Sequence, residues 1–333
     1  MKKFLIIDAF GIIFKSYYAF INRPLMNREG KNTSAIFGFF KTLTGILKKE
    51  KPDYYVVALE GTGECFRNKI FPDYKANRDE APEDLKYQIP KIIDILEKLK
   101  IPSVSKPGFE ADDVIGTIAA KFADSDDKKA LILSSDKDLM QLIDKNVFVY
   151  KPEKGGGDFV VADEEFVMRE VGVRPTQMVD YLALIGDSAD NIPGVKGIGP
   201  KTAVNLLNEY STLENIYDNL DKISLKVKEK LINDKETAFL SQRLALIEKN
   251  MEFDFNFVDF EIKPLNVDTA RQSLEEDSLN SLIKDMEEYN RIIFGLSQSV
   301  VSIDEKDDKK DIIDENTQKE TIKLLECLTI TKK

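Results

Sequence analysis

The sequence of 333 residues contains no histidine and only two cysteines, Cys65 and Cys327. Without histidine, the protein cannot use an imidazole general base, a Ser-His-Asp or Cys-His catalytic arrangement, or a zinc site with imidazole ligands. The two cysteines are too distant in sequence to form a metal knuckle. Such sparse cysteine usage indicates a reducing compartment and a chain without a disulfide framework.

Long apolar runs are also missing. Asp8 interrupts the N-terminal run Phe4–Ile7 and no small-residue cleavage site follows, so we predict a first strand rather than a signal peptide. No run approaches the length of a membrane span. We therefore expect a cytoplasmic protein without a membrane partner.

The net charge of -11, taken alone, argues against a nucleic-acid partner. Most of it lies near the C-terminus, where residues 252–333 hold 20 acidic and 11 basic side chains. The remaining body is nearly neutral. Once the carboxylates that we assign to metal are set aside, its other charges are net positive, which a polyanion would tolerate.

Two short segments concentrate negative charge. Glu110-Ala111-Asp112-Asp113 is followed by apolar residues at helical spacing, and Ser135-Asp136-Lys137-Asp138 follows the apolar run Ala130–Leu133. This pattern predicts a helix that begins at the first segment and a strand that ends at the second. Crowded carboxylates repel one another unless protons or cations intervene, and a hard divalent metal held by oxygen ligands is one remedy.

Three predicted strands each place a carboxylate at their C-terminal end: Asp8, Glu60 and Asp136. Strand and helix patterns alternate throughout 1–165, which predicts an α/β fold with a parallel sheet. Ligands bind at the carboxyl edge of such sheets, so these acids should converge with those of the first acidic segment. Each acid alone has a structural explanation, because acids favour the first helical turn and Asp often follows strands.

The chain becomes helical after residue 165, with further helices predicted over 212–250 and 268–296. Phe253–Phe260 alternates apolar and polar residues, which predicts a short strand or an extended segment. Residues 302–320 are rich in charged side chains, which predicts a solvated linker.

A glycine-rich turn precedes one of these helices. Its glycines let backbone N–H groups approach an anion at the helix start, and two lysines add positive charge. Such a turn alone is weak evidence for phosphate binding, but here it follows Asp187 and Asp190. The residues concerned are Gly194, Lys196, Gly197, Gly199 and Lys201.

These motifs occur in one order along the chain: Asp8, Phe66-Arg67, Tyr74-Lys75-Ala76-Asn77-Arg78, the two acidic segments, and Gly186-Asp187-Ser188-Ala189-Asp190-Asn191-Ile192-Pro193-Gly194. In this order and spacing the sequence resembles the 5′-nuclease (flap endonuclease) superfamily over about residues 3–296. The resemblance is closest to the 5′–3′ exonuclease domains of bacterial DNA polymerase I.

The resemblance implies a PIN-like parallel β-sheet flanked by helices, and a C-terminal helical subdomain that contains a helix–three-turn–helix module. The corresponding domains would be an α/β nuclease core over 1–165 with a helical arch at about 66–98, a helical DNA-binding subdomain over 166–300, and an acidic linker or tail over 301–333.

The resemblance also implies roles for individual residues. Two Mg²⁺ ions, or Mn²⁺ as a substitute, would be held by carboxylates, and potassium is a further candidate at the 192–199 turn. Three residues at the arch, Tyr74, Lys75 and Arg78, would contact the scissile phosphate and an unpaired base. The metal ligands would be Asp8, Glu60, Glu110, Asp112, Asp113, Asp136, Asp138, Asp187 and Asp190. DNA would contact Lys15, Arg67, Asn191, Gly194, Lys196, Gly197, Gly199, Lys201 and Thr202.

The sequence departs from the family pattern in three places. The family usually has Asp at the position of Glu60, and Gly after the first aspartate, where Ala9 and Phe10 stand here. The family carries Arg at the position of Lys15. This chain therefore lacks a bidentate phosphate donor there but keeps the positive charge. Glu60 is one methylene longer than Asp and would reach a metal through an intervening water.

The implied function is metal-dependent 5′–3′ exonuclease and 5′-flap endonuclease action on DNA in replication and repair, including removal of RNA primers. The implied partner is DNA with a 5′ end or flap at a duplex junction, or an RNA–DNA primer hybrid, bound by a monomer at the nucleoid. The protein would be free-standing or part of DNA polymerase I. Two alternatives stay open, a PIN-like ribonuclease without the clamp and a non-catalytic DNA-binding protein.

Overall fold

The computed structural model describes residues 1–152, 159–296 and the backbone of 329–331. Its main sheet has six strands in the spatial order β4-β2-β1-β5-β6-β7. The strands are β1 Lys2–Asp8, β2 Tyr54–Ala58, β3 Arg78–Glu80, β4 Ser103–Val104, β5 Lys128–Leu133, β6 Val147–Pro152, β7 Phe159–Ala162 and β8 Thr329–Thr331. Strands β3 and β8 form a separate antiparallel pair.

Helices surround this sheet. They are α1 Ala9–Ala19, α2 Ser34–Glu50, α3 Phe66–Ile70, α4 Glu83–Lys98, α5 Ala111–Phe122, α6 Glu164–Glu170, α7 Met178–Ile185, α8 Pro200–Tyr210, α9 Leu213–Asp218, α10 Leu225–Asn233, α11 Lys235–Ala245, α12 Val267–Glu276 and α13 Asn280–Phe294. Single 3₁₀ turns cover Asp138–Leu142, Pro175–Gln177, Leu220–Lys222 and Phe257–Phe260.

The predicted α/β class is confirmed, and β4, β2, β1, β5 and β6 run parallel. The sixth strand differs in direction from the others, because β7 pairs antiparallel with β6. Only six residues separate these two strands, and a parallel neighbour needs a crossover connection of a dozen residues or more. Strand β1 lies at the centre and places Ile7 opposite both Val57 and Leu133.

Both faces of the central strand are buried. Leu5 and Ile7 pack in one apolar cluster with residues of α1, α2, α4, α12 and α13, while Phe4 and Ile6 pack in a second cluster with α5, α8 and α9. This two-sided burial accounts for the continuous apolar runs of the strands. It leaves the ends of the strands as the accessible parts of the sheet.

Several predicted elements differ in detail. The stretch expected to form a helical arch contains only the short α3, turns and β3 before α4, whose apolar side packs in the core. Residues 253–256 carry no regular strand, and Glu261 makes a single bridge to Tyr54. The helical region over 268–296 is split into α12 and α13 beside Ser278, whose φ is 61°. The predicted linker over 302–320 lies outside the described residues.

Across the described ranges, no helix combines the length and the apolar content that a bilayer crossing requires.

Asn290 anchors α13 to the segment before α12. Its buried side chain accepts a 2.8 Å hydrogen bond from Leu265 N and donates a 2.8 Å bond to Leu265 O. We expect Asn290→Leu to lower the free energy of unfolding by about 1–3 kcal/mol, because it leaves two buried backbone groups without partners. Urea denaturation would measure this. The control Asn205→Leu, on the exposed side of α8, should change stability by less than about 0.5 kcal/mol, and an equal loss in both variants would contradict the anchoring role.

Candidate active site

The carboxyl edge of the sheet gathers the acids that follow the strands. Asp8 caps α1, because its Oδ1 accepts a 2.9 Å hydrogen bond from Gly11 N. Its Oδ2 accepts a 2.6 Å bond from the hydroxyl of Ser134, and that hydroxyl oxygen accepts a 3.0 Å bond from Asp136 N. The fully buried Ser134 therefore fixes the first acid of β1 and the segment after β5 in one arrangement.

The start of α5 brings a second group of acids to the same edge. Glu110 N donates a 3.1 Å bond to Asp113 Oδ2, and both residues together form a capping box. The N–H of Ala111 donates a 3.1 Å bond to Glu60 Oε2, so the residue after β2 is tied to the helix start. Asp112, between the two box residues, interacts electrostatically with Asp136 and Asp8.

The pKa values of these carboxyl groups are raised by their burial and their closeness to one another. Burial raises the pKa of Asp112 well above its ordinary value, and the charges of Asp136 and Asp8 raise it further. Burial likewise raises the pKa of Asp8, and it raises the pKa of Glu60 to about 7. In such a cluster, each charged carboxylate makes the ionisation of its neighbours less favourable. A bound cation relieves this repulsion.

Asp138 joins this edge to the loop that follows α7. Burial raises its pKa well above the ordinary value, and Asp136, Asp187 and Asp190 add to the effect. Asp187 accepts hydrogen bonds from Ala189 N at 2.8 Å and pairs with Lys137 at 3.0 Å. In the described part of the chain, the buried Asp138 Oδ1 has no hydrogen-bond partner.

Three residues of the 66–78 stretch reach into the acids. The hydroxyl of Tyr74 lies 3.0 Å from Glu110 Oε2 and 3.1 Å from Asp190 Oδ2. Lys75 Nζ donates to Glu110 Oε1, and Arg78 Nη2 donates to Asp190 Oδ1. Burial acts to raise the pKa of Glu110 and of Asp190, but the neighbouring cations, Lys75 foremost, outweigh it and hold both pKa values below the ordinary range.

The donor chemistry fits a hard divalent metal ion. The cluster consists of carboxylate oxygens without histidine or thiolate, and Asp138 offers an oxygen that no protein donor satisfies. As the side chains stand, no three acids of the described residues are arranged to hold a single ion. Glu110 and Asp190 instead hold Lys75 and Arg78.

The glycine-rich turn beside the acids is shaped by close backbone contacts. Gly186 and Gly194 have φ values of 74° and 65°, and a Cβ on Gly194 would lie 2.3 Å from Gly186 N. Only glycine fits this approach. The turn then leads through Gly199 into α8, with Lys196, Gly197 and Lys201 exposed at the surface.

Two family models match the chain in succession. The 5′–3′ exonuclease N-terminal resolvase-like domain matches residues 3–172, just over half of the chain, and the 5′–3′ exonuclease C-terminal SAM fold matches residues 173–268. The chain belongs to the 5′–3′ exonuclease family. It is a nuclease, as predicted, and the alternative of a non-catalytic DNA-binding protein is set aside.

Relatives of this 5′–3′ exonuclease family differ in length. The chain is 38% identical to the 5′–3′ exonuclease of Aquifex aeolicus, over 87% of this chain and 97% of that protein. It is 44% identical to the DNA polymerase I of Borreliella burgdorferi, over 76% of this chain but only 27% of the polymerase. A structure of the T5 5′-exonuclease with bound zinc superposes with a TM-score of 0.62 at 21% identity, covering 86% of this chain and 99% of the other. At that identity the likeness concerns the fold.

The structure brings most of the predicted acids of this 5′–3′ exonuclease-family chain to one edge. Asp112 lies within electrostatic reach of the acids around it, and Asp138 connects them to the loop after α7. The residues gathered in this way are Asp8, Glu60, Glu110, Asp112, Asp136, Asp138, Asp187 and Asp190.

Asp113 has different surroundings from these acids. It is fully buried, and Arg67 donates to both of its oxygens at 2.7 and 2.8 Å. Its Oδ1 also accepts a 2.9 Å bond from Glu248 N. Asp113 therefore has a structural role in this arrangement, and its role as a metal ligand stays a prediction. The capping-box spacing of Glu110 and Asp113 was the available sequence signal for the structural role.

Two of the predicted DNA contacts, Arg67 and Gly194, are engaged inside the protein. Arg67 is 2% exposed and donates further bonds to Leu244 O at 2.9 Å and Leu246 O at 2.7 Å, so it lies inside the protein. The N–H of Gly194 is buried and donates to Ser241 Oγ at 3.0 Å, so no phosphate can reach it. Of the other predicted contacts, Lys15, Lys196, Gly197 and Lys201 are exposed, and Asn191, Gly199 and Thr202 are half-buried.

Ser134 is a residue of the site to which the sequence pattern gave no role. Its position just after a strand that ends in an acidic segment was the only signal, and serine is common in such turns. The structure shows that its hydroxyl bridges Asp8 and Asp136.

The buried Arg67–Asp113 pair makes a specific stability prediction. We expect Arg67→Met to lower the free energy of unfolding by about 3–5 kcal/mol, because it leaves a buried carboxylate without its counter-ion. Urea denaturation would measure the change, with Arg169→Met as a control, since Arg169 pairs with Glu170 at the surface. The double variant Arg67→Met/Asp113→Leu should recover part of the loss. A loss below about 1 kcal/mol for Arg67→Met would contradict the role of the pair.

Proposed function

We propose that this nuclease requires divalent metal ions and hydrolyses DNA phosphodiester bonds at 5′ ends and 5′ flaps, where a single strand meets a duplex. The observation that carries the proposal is the convergence of acids from five separate segments of the chain on one edge of the sheet, beside two cations and the glycine-rich turn. Family membership supports the reaction class, and the site geometry supports the metal requirement.

The proposed ligands are the gathered acids without Asp113. We propose two Mg²⁺ ions, with Mn²⁺ as a substitute, because oxygen donors and water suit these ions. When bound, such ions supply a water of lowered pKa as nucleophile and stabilise charge that develops on the phosphate and on the departing 3′ oxygen. Ser134 holds Asp8 in place, and the Ala111 N–H holds Glu60, so the chain presents these carboxylates in fixed positions.

Lys75 and Arg78 are the proposed partners of the scissile phosphate. Their side chains are partly exposed at the acid cluster, where they could neutralise phosphate oxygens while water is excluded. Tyr74 is a different case, because its ring is only 4% exposed and packs with Leu182 and Ile192. This burial argues against stacking of Tyr74 on an unpaired base in this arrangement, and we assign its hydroxyl to positioning Glu110 and Asp190.

The turn before α8 is the proposed clamp for duplex backbone. Lys196 and Lys201 are exposed there, on either side of the point where α8 begins. We assign Asn191, Gly197, Gly199 and Thr202 to the same contact, and Lys15 to the opposite side of the site. Backbone contacts of this kind carry little base information, so we propose structure specificity rather than sequence specificity.

Further details belong to the same proposal. The nuclease core would span 1–165 with its arch at about 66–98, the helical DNA-binding subdomain 166–300, and the acidic tail 301–333. The protein would act as a monomer at the nucleoid. Potassium at the 192–199 turn would have to share the Gly197 carbonyl with Lys230, whose Nζ donates to it at 2.6 Å.

The biological setting that we propose is replication and repair, including removal of RNA primers that face a duplex junction. The relatives named DNA polymerase I and the shorter relative named 5′–3′ exonuclease support it equally. The same activity would serve a free-standing protein or one part of a polymerase. A ribonuclease with the same acids remains the competing function.

Substrate choice tests the proposal directly. We expect cleavage of a 5′-flap DNA with Mg²⁺, much weaker cleavage of a 3′-flap or blunt duplex, and no cleavage with EDTA. The reason is that the clamp and the acids lie a fixed distance apart and together recognise a junction. Gel assays with end-labelled substrates would measure the rates. Equal cleavage of all three DNA substrates, or cleavage of RNA alone, would contradict the proposal.

The variant Asp112→Asn is expected to change the cleavage rate and the free energy of unfolding in opposite directions. We expect it to lower the cleavage rate by roughly a hundredfold, since it removes a proposed metal ligand. In EDTA at pH 7.5 the same variant should raise the free energy of unfolding, because it removes a carboxyl whose pKa is raised in the folded state. Thermal unfolding and 5′-flap assays would measure both. Asp259→Asn, an exposed acid far from the site, should change neither, and a stability loss in Asp112→Asn would contradict the repulsion described.

A further inference from the structure

Every oxygen of Glu110 and Asp190 lies close to a donor of the protein. Glu110 Oε1 accepts from Lys75, while its Oε2 accepts from Arg67 at 3.0 Å and lies 3.0 Å from the Tyr74 hydroxyl. Asp190 Oδ1 accepts from Arg78, and its Oδ2 lies 3.1 Å from the same hydroxyl, whose single hydrogen serves one of the two acids at a time. Neither acid can bind a metal ion strongly unless one of these donors gives way.

Two of the four donors are fixed by their surroundings. Arg67 is enclosed and holds Asp113 and two backbone carbonyls at the same time. Tyr74 is packed in a small apolar cluster and bridges both acids. Displacing either one would leave buried polar groups without partners, which is costly.

The other two donors can be exchanged. The side chains of Lys75 and Arg78 are 21% and 23% exposed, so water can solvate them once they leave the acids. The backbone beside them is held independently. Lys75 N donates to Asp190 O at 3.0 Å, Asn77 Nδ2 donates to Ser188 O at 2.6 Å, and Asn191 Nδ2 donates to Asp73 O at 2.6 Å. The two cationic side chains can therefore move without the segment leaving its place.

We propose that Lys75 and Arg78 are internal counter-ions of the acid cluster, and that a divalent metal ion must displace them from Glu110 and Asp190. The inference rests on the proposed metal site. Displacement has a functional consequence, because it frees two cations next to the metal for the phosphate of the substrate. Metal binding would thus precede the engagement of DNA by these two residues, and the same side chains would first compete with the metal and then assist it.

The competition predicts opposite effects on binding and on cleavage. Without DNA, we expect Lys75→Met and Arg78→Met to bind Mn²⁺ roughly tenfold more tightly than the unaltered protein, since each removes a charge that the ion must displace. Their cleavage of a 5′ flap at saturating Mn²⁺ should fall roughly a hundredfold, because the phosphate loses a cation. Lys75→Arg, which keeps the charge, should retain nearly unaltered Mn²⁺ affinity. The matched control Lys145→Met removes a surface lysine paired with Asp126 and should change neither quantity.

Isothermal titration with Mn²⁺ would measure the affinities, with thermal unfolding to verify that each variant is folded. A second measurement observes the displacement itself by NMR of ¹⁵N-arginine-labelled protein. Addition of Mg²⁺ should shift the Arg78 Nε–H signal and leave that of Arg67 unchanged, because only Arg78 leaves its carboxylate. Arg67 serves as the internal control, since its Nε–H donates to the buried Leu244 carbonyl.

The outcomes distinguish the two proposals. If the unaltered protein binds no Mn²⁺ and cleaves without metal, the proposed function fails. If it binds Mn²⁺ but Lys75→Met and Arg78→Met bind it equally or more weakly, or if the Arg78 signal does not respond to Mg²⁺, the counter-ion inference is overturned while the metal-dependent function stands.

Discussion

Mutual repulsion among carboxylates is the physical constraint on which this structure depends. The sheet ends, the start of α5 and the loop after α7 bring acids together that would separate if nothing held them. The backbone of these elements holds the acids in place against this repulsion, and hydrogen bonds such as those of Ser134 add to the restraint. The ion pairs of Lys75 with Glu110 and of Arg78 with Asp190 neutralise part of the charge. The site is thus built at the expense of local stability, as functional sites often are.

A buried arginine connects this site to the rest of the molecule. Arg67 links the segment after β2 to the start of α5 through Asp113, and to the end of α11 through two backbone carbonyls. Asp113 also accepts a hydrogen bond from the N–H of Glu248. The segment after α11 is therefore attached to the residue next to Asp112. An ionic contact inside the protein therefore fixes the position of the proposed clamp relative to the acids. This explains why an acidic residue in the middle of the site motif has a structural task.

The sequence allowed the α/β class and the placement of Asp8, Glu60 and Asp136 at one edge to be predicted, because strand ends and sheet polarity follow from local pattern. Asp138 follows from the same acidic segment as Asp136, whereas family resemblance supplied Asp187 and Asp190, which no local rule connects to that edge. What could not be predicted was which way each side chain turns. Asp112 and Asp113 are neighbours with the same charge, yet the capping box turns one inward to Arg67 and leaves the other among the acids. The burial of Arg67 and Tyr74 likewise depends on α7 and α11, which lie over a hundred residues away.

The central position of β1 has a consequence for synthesis of the chain on the ribosome. This strand is made first, but its neighbour β5 begins at residue 128, and the loop that carries Asp187 and Asp190 follows later still. The carbonyls that hold Arg67 belong to residues 244 and 246. A growing chain therefore cannot assemble this centre until residues 244 and 246 have emerged, because contacts so distant in sequence close late. Nascent polypeptides would leave nearby nucleic acid untouched during translation.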